Sequence, residues 1–462
     1  MSGIARILKV FTLLLFVQFL HAQSASEEML TLRDCINIAL KNNSTLKLNR
    51  YNDQSAKMDV VSSYSGVLPS ISVSAGRSEV ETGPSEYLSN EPVGIDADGN
   101  VIYELRTRKT EKSTRKSITA GVSVDQTLFD GGIWWNQIRK AHVDKKAAGF
   151  NLASQRDNTI LLVEQGYYDL LKQIKLLEVY DLAVKRSREQ LDRAQKMYEL
   201  GATAKLDVYR ARVNLGTDRI NYLNQKNLMA KSKRNMNLLL GRDPFTPLTI
   251  DIKIKLDKDL PDFETLLKTA FANQPLLKKN EMDLKSRGLS LAMAKGMNYP
   301  RLSAYVNYNR FHEDAARVFS NYDQNYQTQY GVQLRFNLFR GFSDYASVQK
   351  AEISRRSAQE SFEEYKRNLK STVHQYYDDY KSIIEQIEIF KDNIEAAQEE
   401  YRLSNERYQV GAGTALEVRE SQVDLTRAEE QYIASQFNAR VILAALNKEL
   451  GLSYKKFTAV DK

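Results

Sequence analysis

Along residues 329–338 apolar and polar side chains alternate: Tyr330, Val332, Leu334, Phe336 and Leu338 fall on one face, Gln329, Gln333, Arg335 and Asn337 on the other. A period of two is the signature of extended chain with two unlike faces. Residues 118–128 repeat it with Ser123 and Asp125 on the polar face, and shorter runs at 70–75 and 302–309 complete two hairpins. Strands are expected near 68–76, 117–129, 300–310 and 328–339. Each is close to the ~9–11 residues that a tilted membrane-spanning strand requires.

The period changes over residues 133–240 and 343–450, which all eight prolines avoid. Proline kinks or breaks helix interiors, so its absence permits very long helices. The only turn-like interruptions are Gly201-Ala202-Thr203 and Gly411-Ala412-Gly413, which divide each segment into an outgoing and a returning helix. In the returning helices a seven-residue row runs through Val208, Leu215, Tyr222, Met229 and Met236, and again through Val418, Leu425, Tyr432, Ala439 and Leu446. Ser421, Ala428, Ser435 and Ile442 form a companion row. A sustained seven-residue repeat with small residues predicts coiled-coil packing with close approaches.

These patterns occur twice. At an offset of 210, Gly121-Val122 matches Gly331-Val332, Leu128-Phe129 matches Leu338-Phe339, Tyr198-x-x-Gly201 matches Tyr408-x-x-Gly411, and Leu240-Gly241 matches Leu450-Gly451. Upstream the offset becomes 231, aligning Ala39 with Ala270 and Pro69 with Pro300, so the first copy carries 21 extra residues. The segment that holds them, residues 77–116, contains Gly83-Pro84, Pro92, Gly94 and Asp98-Gly99 and is expected to be a surface loop, with residues 310–328 as its shorter counterpart. The repeats are bounded at 23–241 and 262–451. Proline stops the helices before Pro69 and Pro300. Gly131, Gly132 and Gly341 mark the junctions by which the strands return to helix, and Trp134, Trp135 and Tyr345 follow them, either as an interfacial aromatic girdle or as simple helix-end packing.

Arg6 and Lys9 precede an apolar run over residues 10–20, and Ala22 offers a cleavage site, so residues 1–22 read as a secretory signal peptide. That run is about half a membrane-spanning helix, and no later segment is long and apolar enough to be one. A lone cysteine, Cys35, excludes an internal disulfide. The net charge of +8 is spread over 27% charged residues of both signs, which describes solvated helices and no nucleic-acid face.

No chemistry-bearing constellation appears. His142, His312 and His374 lack metal-ligand spacing with one another or with Cys35, no nucleophile motif or phosphate-cradling loop is present, and neither catalysis nor a cofactor is expected. Four strands cannot close a barrel in hydrocarbon, because each open edge would strand peptide groups without partners. Several chains must therefore share one barrel: two would give eight strands and three would give twelve, and physics leaves both open. A periplasmic coiled-coil adaptor or scaffold is the competing reading, which accounts for the helices and not for the four lipid-ready strands.

With these junctions and turns in place, the chain resembles the TolC-like outer-membrane efflux proteins (outer membrane factors) over residues 30–451. The carriers are the duplicated starts Ala39-Leu40-x-x-Asn43 and Ala270-Phe271-x-x-Gln274-Pro275, the Leu-Phe-x-Gly junctions, and the two Tyr-x-x-Gly turns followed by Leu206-Asp207-Val208 and Leu416-Glu417-Val418. The resemblance implies a mainly α protein with a membrane β-barrel: a homotrimer whose twelve shared strands span the outer membrane and whose helices form a periplasmic tunnel. It implies equatorial segments at 242–261 and 452–462. Its partners would be a periplasmic adaptor (membrane fusion protein), an inner-membrane transporter of RND, ABC or MFS type, and outer-membrane lipid with lipopolysaccharide. The turn residues Tyr198, Gly201, Ala202, Thr203, Tyr408, Gly411, Ala412 and Gly413 match the family's adaptor-docking tip. Asp207, Arg210, Glu417 and Glu420 match its narrow aperture, and Glu417 and Glu420 stand where the family usually has aspartates. Arg106, Arg108, Lys109, Lys112, Arg115 and Lys116 cluster in the first outer loop, where contact with lipopolysaccharide phosphates is the family-consistent reading beside that of a solvated charge run.

Overall fold

The computed structural model describes residues 29–251, 259–320 and 322–459. The expected signal peptide and parts of both expected equatorial segments lie outside the described residues. The chain divides into two compact units.

The first unit comprises Lys146–Met282 and Glu360–Lys462 together with the chain up to Ser55. It holds most of two helical hairpins. In the first, α3 (Ile133–Glu199) turns into α4 (Lys205–Leu239); in the second, α8 (Ser343–Gln409) turns into α9 (Ala415–Glu449). The outgoing helices have 67 residues each and the returning ones 35. At ~1.5 Å per residue, 67 residues extend for roughly 100 Å.

Two short helices, α1 (Leu32–Asn42) and α5 (Phe263–Asn273), anchor the far ends of the hairpins. Their starts are set locally: Thr31 accepts from the Asp34 amide in a capping box, and Asp262 accepts from the Thr265 amide. Cys35 and Ala39 of α1 pack with Val163 and Leu171 of α3, Met236 and Leu240 at the end of α4, and Phe437 of α9. Leu266 and Ala270 of α5 pack in the same way with Val373 of α8 and Leu446 of α9. The pseudo-symmetry reaches the backbone. Gly241 (φ 68°) and Gly451 (φ 65°) close the returning helices in the left-handed region, and a Cβ there would lie 2.7 Å from the carbonyl oxygen of Asn42 or Asn273. Only glycine allows this approach without strain. A two-residue parallel pair, β1 (Met29–Leu30) with β6 (Thr249–Ile250), and α10 (Ser453–Ala459) complete the unit.

The second unit comprises Ala56–Lys145 and Asp283–Gln359. The ends of α2 (Ser44–Ser63) and α6 (Pro275–Gly296) lead into its strands. Four of these, β2 (Ser70–Thr82), β5 (Ser113–Phe129), β7 (Arg301–His312) and β8 (Tyr326–Arg335), form an antiparallel sheet in the order β2-β5-β7-β8. The register aligns like with like. Ile71 opposes Val124, Val124 opposes Val306, and Val306 opposes Tyr330; one row along, Ser72, Ser123, Asn307 and Gln329 stand level on the other face. One face of the sheet is thus apolar across all four strands and the other polar, as a barrel wall between lipid and water requires.

Two strand readings need correction. The stretch 77–116 is extended chain and not loop: β2 and β5 pair out to Thr82 and Ser113, and β3 (Ser85–Ile95) pairs with β4 (Val101–Thr110) as a two-stranded ribbon. Ion pairs across the strands support it, including Lys116–Glu79, Lys112–Glu81, Lys109–Glu86 and Arg108–Glu91. At its tip the Asp96 carboxylate accepts from the amides of Asp98 and Asn100. Conversely β8 ends at Arg335, although alternation continues to Leu338, because its partner runs out: Arg335 faces Arg301, and Pro300 supplies no N–H to carry the ladder further.

The contact of Gly451 with Asn273 yields a contrast. Gly451→Ala should cost about 2 kcal/mol or more, from left-handed strain and overlap. Gly288→Ala, in α6 with nothing within 4 Å of the added carbon, should stabilise by roughly 0.5–1 kcal/mol. Denaturant titrations followed by far-UV circular dichroism measure both.

Candidate functional site

The two hairpin turns lie in the first unit and share one local mechanism. In the first, the Gly201 and Ala202 amides donate to the carbonyls of Tyr198 and Met197 at 2.9 and 2.8 Å; in the second, those of Gly411 and Ala412 donate to Tyr408 and Arg407 at 3.2 and 2.9 Å. This is the Schellman arrangement, with Gly201 (φ 72°) and Gly411 (φ 75°) in the left-handed position that it requires. The spacing Tyr-x-x-Gly is therefore first a helix-stop signal.

The helices that leave the turns are capped differently. Thr414 accepts from the Glu417 amide at 3.2 Å, whereas Ala204, at the equivalent start of α4, offers no side-chain cap. Thr203 donates instead to the Asp207 carboxylate at 2.7 Å. Asp207 and Glu417 both occupy first turns, where the helix dipole favours a negative charge. Their cationic neighbours are local: Arg210 lies 3.7 Å from Asp207, and Arg407 lies 4.0 Å from Glu417. Arg210 thus pairs within its own hairpin. Glu420 is exposed.

Between the turns lies a cavity of about 760 Å³. Ala202, Thr203, Asp207 and Arg210 line it from the first hairpin, and Tyr408, Gly411 and Gly413 from the second. Tyr198, Gly201, Ala412, Glu417 and Glu420 are not part of its lining. Burial and then the Asp207 carboxylate push the Tyr408 phenol up from its usual range, which reflects how closely the two hairpins approach there.

A polar cluster behind this cavity ties the hairpins together, and the sequence reading missed it. Arg419 of α9 donates two bonds to buried Asp218 of α4, at 2.6 and 3.1 Å. Ser187 of α3 donates to the same carboxylate, and Gln422 of α9 donates to Ser187 at 3.0 Å and to the Ala183 carbonyl at 3.2 Å. Next to Ser187, Arg186 of α3 lies 3.4 Å from Glu429 of α9, about two turns beyond Gln422. Three helices, α3, α4 and α9, thus meet through charge and hydrogen bonding where a coiled coil ordinarily uses aliphatics. A signal existed: Asp218, Gln225 and Ser232 are polar residues at seven-residue spacing in the buried face of α4.

The strand–helix junctions belong to the second unit. Pro69 and Pro300 stand immediately before β2 and β7. Gly131 (φ 74°) and Gly132 (φ 79°) carry β5 into α3, whose first turn is fixed by the Trp134 amide donating to Asp130 at 2.9 Å. Gly341 (φ 60°), followed by Phe342 at φ 66°, makes the equivalent turn after β8. Trp134 and Trp135 pack edge to face, with Arg139 above Trp135. Of the basic residues of the outer segment, Arg106, Arg108, Lys109, Lys112 and Lys116 each lie within 4.0 Å of a glutamate along or across the strands, and Arg115 is exposed.

Arg419→Ala should destabilise the helical hairpins by about 3 kcal/mol, because it leaves Asp218 buried without its counter-charge. Arg419→Leu combined with Asp218→Leu should recover much of that loss, and equilibrium unfolding of the single and double variants supplies the comparison.

Comparison with known proteins agrees with this architecture. The profile of the family described as outer membrane efflux protein matches residues 35–242 and 266–452. The probable efflux pump outer membrane protein TtgC of Pseudomonas putida is 23% identical over 297 residues, which are 63% of this chain and 59% of that protein. The outer membrane protein TolC of Escherichia coli is 22% identical over 377 residues, 77% of this chain and 75% of that one. Among solved structures, the Campylobacter jejuni CmeC outer membrane channel superimposes with a TM-score of 0.78 at 16% identity, covering 93% of this chain and 89% of CmeC. Outer membrane protein VceC of Vibrio cholerae superimposes at 0.74 with 14% identity, covering 91% and 96%. With profile matches that span both repeats, the chain belongs to the outer membrane efflux protein family.

Proposed function

We propose that this protein is a passive, gated duct that carries solutes across the outer membrane, working as a homotrimer with a periplasmic adaptor and an inner-membrane transporter of RND, ABC or MFS type. The observation that carries this reading is the sheet β2-β5-β7-β8, apolar on one face across all four strands and open at both edges. In hydrocarbon those edges must pair with other copies. Three copies give twelve strands, enough to enclose an aqueous lumen lined by residues such as Ser72, Ser123, Asn307 and Gln329. A soluble scaffold has no use for such a wall.

The turns form the periplasmic end. The cavity between them, with its polar floor of Thr203, Asp207 and Arg210, suits an adaptor's helical tip. The Asp218–Arg419 cluster is the natural latch, since the hairpins cannot separate there without breaking its directional bonds among Arg419, Asp218, Ser187 and Gln422. Relatives named for antibiotic and toluene efflux support small organic solutes as cargo. No chemical step is assigned to any residue, and energy comes from the partner transporter.

Glu417 and Glu420 of three copies would place six carboxylates around the mouth. Glu417→Ala with Glu420→Ala should lower cation selectivity and weaken block by multivalent cations. Arg419→Ala should raise the open probability of the closed channel. Single-channel recording in planar bilayers reads both effects; a protein that conducts under neither condition is no duct.

A further inference from the structure

Two helices at the periphery of the first unit carry opposite charge in the same rhythm. On α4, Lys205, Arg212, Arg219, Lys226 and Lys233 recur every seven residues; on α8, Asp378, Glu385, Asp392, Glu399 and Glu406 do the same. Over its length α4 has eight cations and two carboxylates, and residues 378–406 of α8 have nine carboxylates and three cations. All ten side chains are exposed except Lys233, which is half-buried.

Each row flanks an apolar seam that the protomer leaves open. On α4 the seam runs through Leu206, Tyr209, Val213, Ile220 and Leu223, each 50–67% exposed. On α8 it runs through Ile389 and Leu403, 60% and 46% exposed, with exposed Ala396 between them, and continues into Val410 just past the helix end, 79% exposed. The opposite faces are already used. Val208, Leu215, Asp218, Gln225, Ser232 and Met236 of α4 are buried, and the contacts of Gln225 and Ser232 are with α3. Tyr380, Ile387 and Ala397 of α8 are buried against α9. A helix with one filled and one open heptad seam is built for a second helical neighbour.

The rows also match in direction and height. The first cation, Lys205, stands four residues after Gly201, and the last acid, Glu406, five residues before Gly411. The two turns border one cavity, so these residues start level, and the helices run in opposite senses from there. Both rows then advance in equal steps of roughly 10.5 Å, from seven residues at ~1.5 Å each. Part of the charge is occupied within the protomer: Arg402 bridges Glu399 and Glu406, Asp378 meets His374, and Lys205 and Arg212 lie over Tyr209. Arg219, Lys226 and Lys233 make no ion pair or hydrogen bond among the described residues.

We propose that α4 of one copy packs antiparallel against α8 of the next, and that five opposed charge pairs set the register of this seam: Lys205 with Glu406, Arg212 with Glu399, Arg219 with Asp392, Lys226 with Glu385, and Lys233 with Asp378. The occupant of each open face is a second copy of this chain. The inference rests on the shared-barrel reading above and adds which helices meet, in which register, and by what force. Exposed ion pairs are weak singly and screened by salt, so this half of the assembly is held by a force that ionic strength can loosen.

The test uses the full-length protein in detergent with Cys35→Ser as background. Arg219→Cys paired with Asp392→Cys should give disulfide-linked oligomers on mild oxidation, and the out-of-register pair Arg219→Cys with Glu406→Cys should not. Arg219→Glu with Lys226→Glu should lose most of the trimer at low salt, measured by light scattering. Adding Glu385→Lys and Asp392→Lys to the same chain should restore it, which separates a broken seam from a misfolded helix. A stable trimer with no in-register cross-link, or one indifferent to the charge reversal, would overturn the proposed seam and leave the shared barrel intact. Absence of any trimer in the background protein would overturn the barrel reading itself.

Discussion

Everything in this fold answers to one requirement of the backbone: a sheet with an apolar face in hydrocarbon must pair every peptide group, and four strands cannot do so alone. The register that aligns Ile71, Val124, Val306 and Tyr330 makes the sheet fit for lipid, and the same regularity carries two unpaired edges to its margins. Function then depends on association, since a lumen exists only when the edges of several copies meet. The duplicated helical hairpins have a matching incompleteness, with one heptad seam filled and the other bare.

The hairpins show how the same local grammar accepts different content. Both turns end their outgoing helix by glycine in a left-handed position, and both returning helices finish at a glycine pressed on a short helix, Gly241 on α1 and Gly451 on α5. Within that frame the first hairpin supplies Asp218 and the second supplies Arg419, so the duplication has diverged into two halves of one ion pair. Such a pair adds little net stability because both charges must be desolvated. What it adds is a defined arrangement of three helices, α3, α4 and α9, whose shared bonds water can compete for once they part.

Much of this was legible in the sequence because periodicity is a local property. Proline-free stretches, Tyr-x-x-Gly turns and alternating runs each depend on neighbours a few residues away. The ribbon of residues 85–110 escaped notice because its glycines and prolines resemble those of a loop, while the ion pairs that extend it, such as Lys109 with Glu86, join residues remote in sequence. The end of β8 was misjudged for a related reason: Phe336 and Leu338 keep the alternation, and only the proline on the partner strand ends the pairing. The seven-residue row of Asp218, Gln225 and Ser232 did not declare itself a site, because a polar residue on a long charged helix looks solvated until its neighbours are known.

The bare faces of α4 and α8 have a further consequence for the life of a single copy before it finds its companions. Lined by lysine, arginine and carboxylates, they keep their hydration shell and do not drive aggregation. The strands lack this safeguard, with Ile71, Val73, Tyr330, Val332 and Leu334 each more than 60% exposed on one surface. A newly made chain therefore carries its hazard in the strands β2, β5, β7 and β8, and it is there that any escort protein would need to take hold.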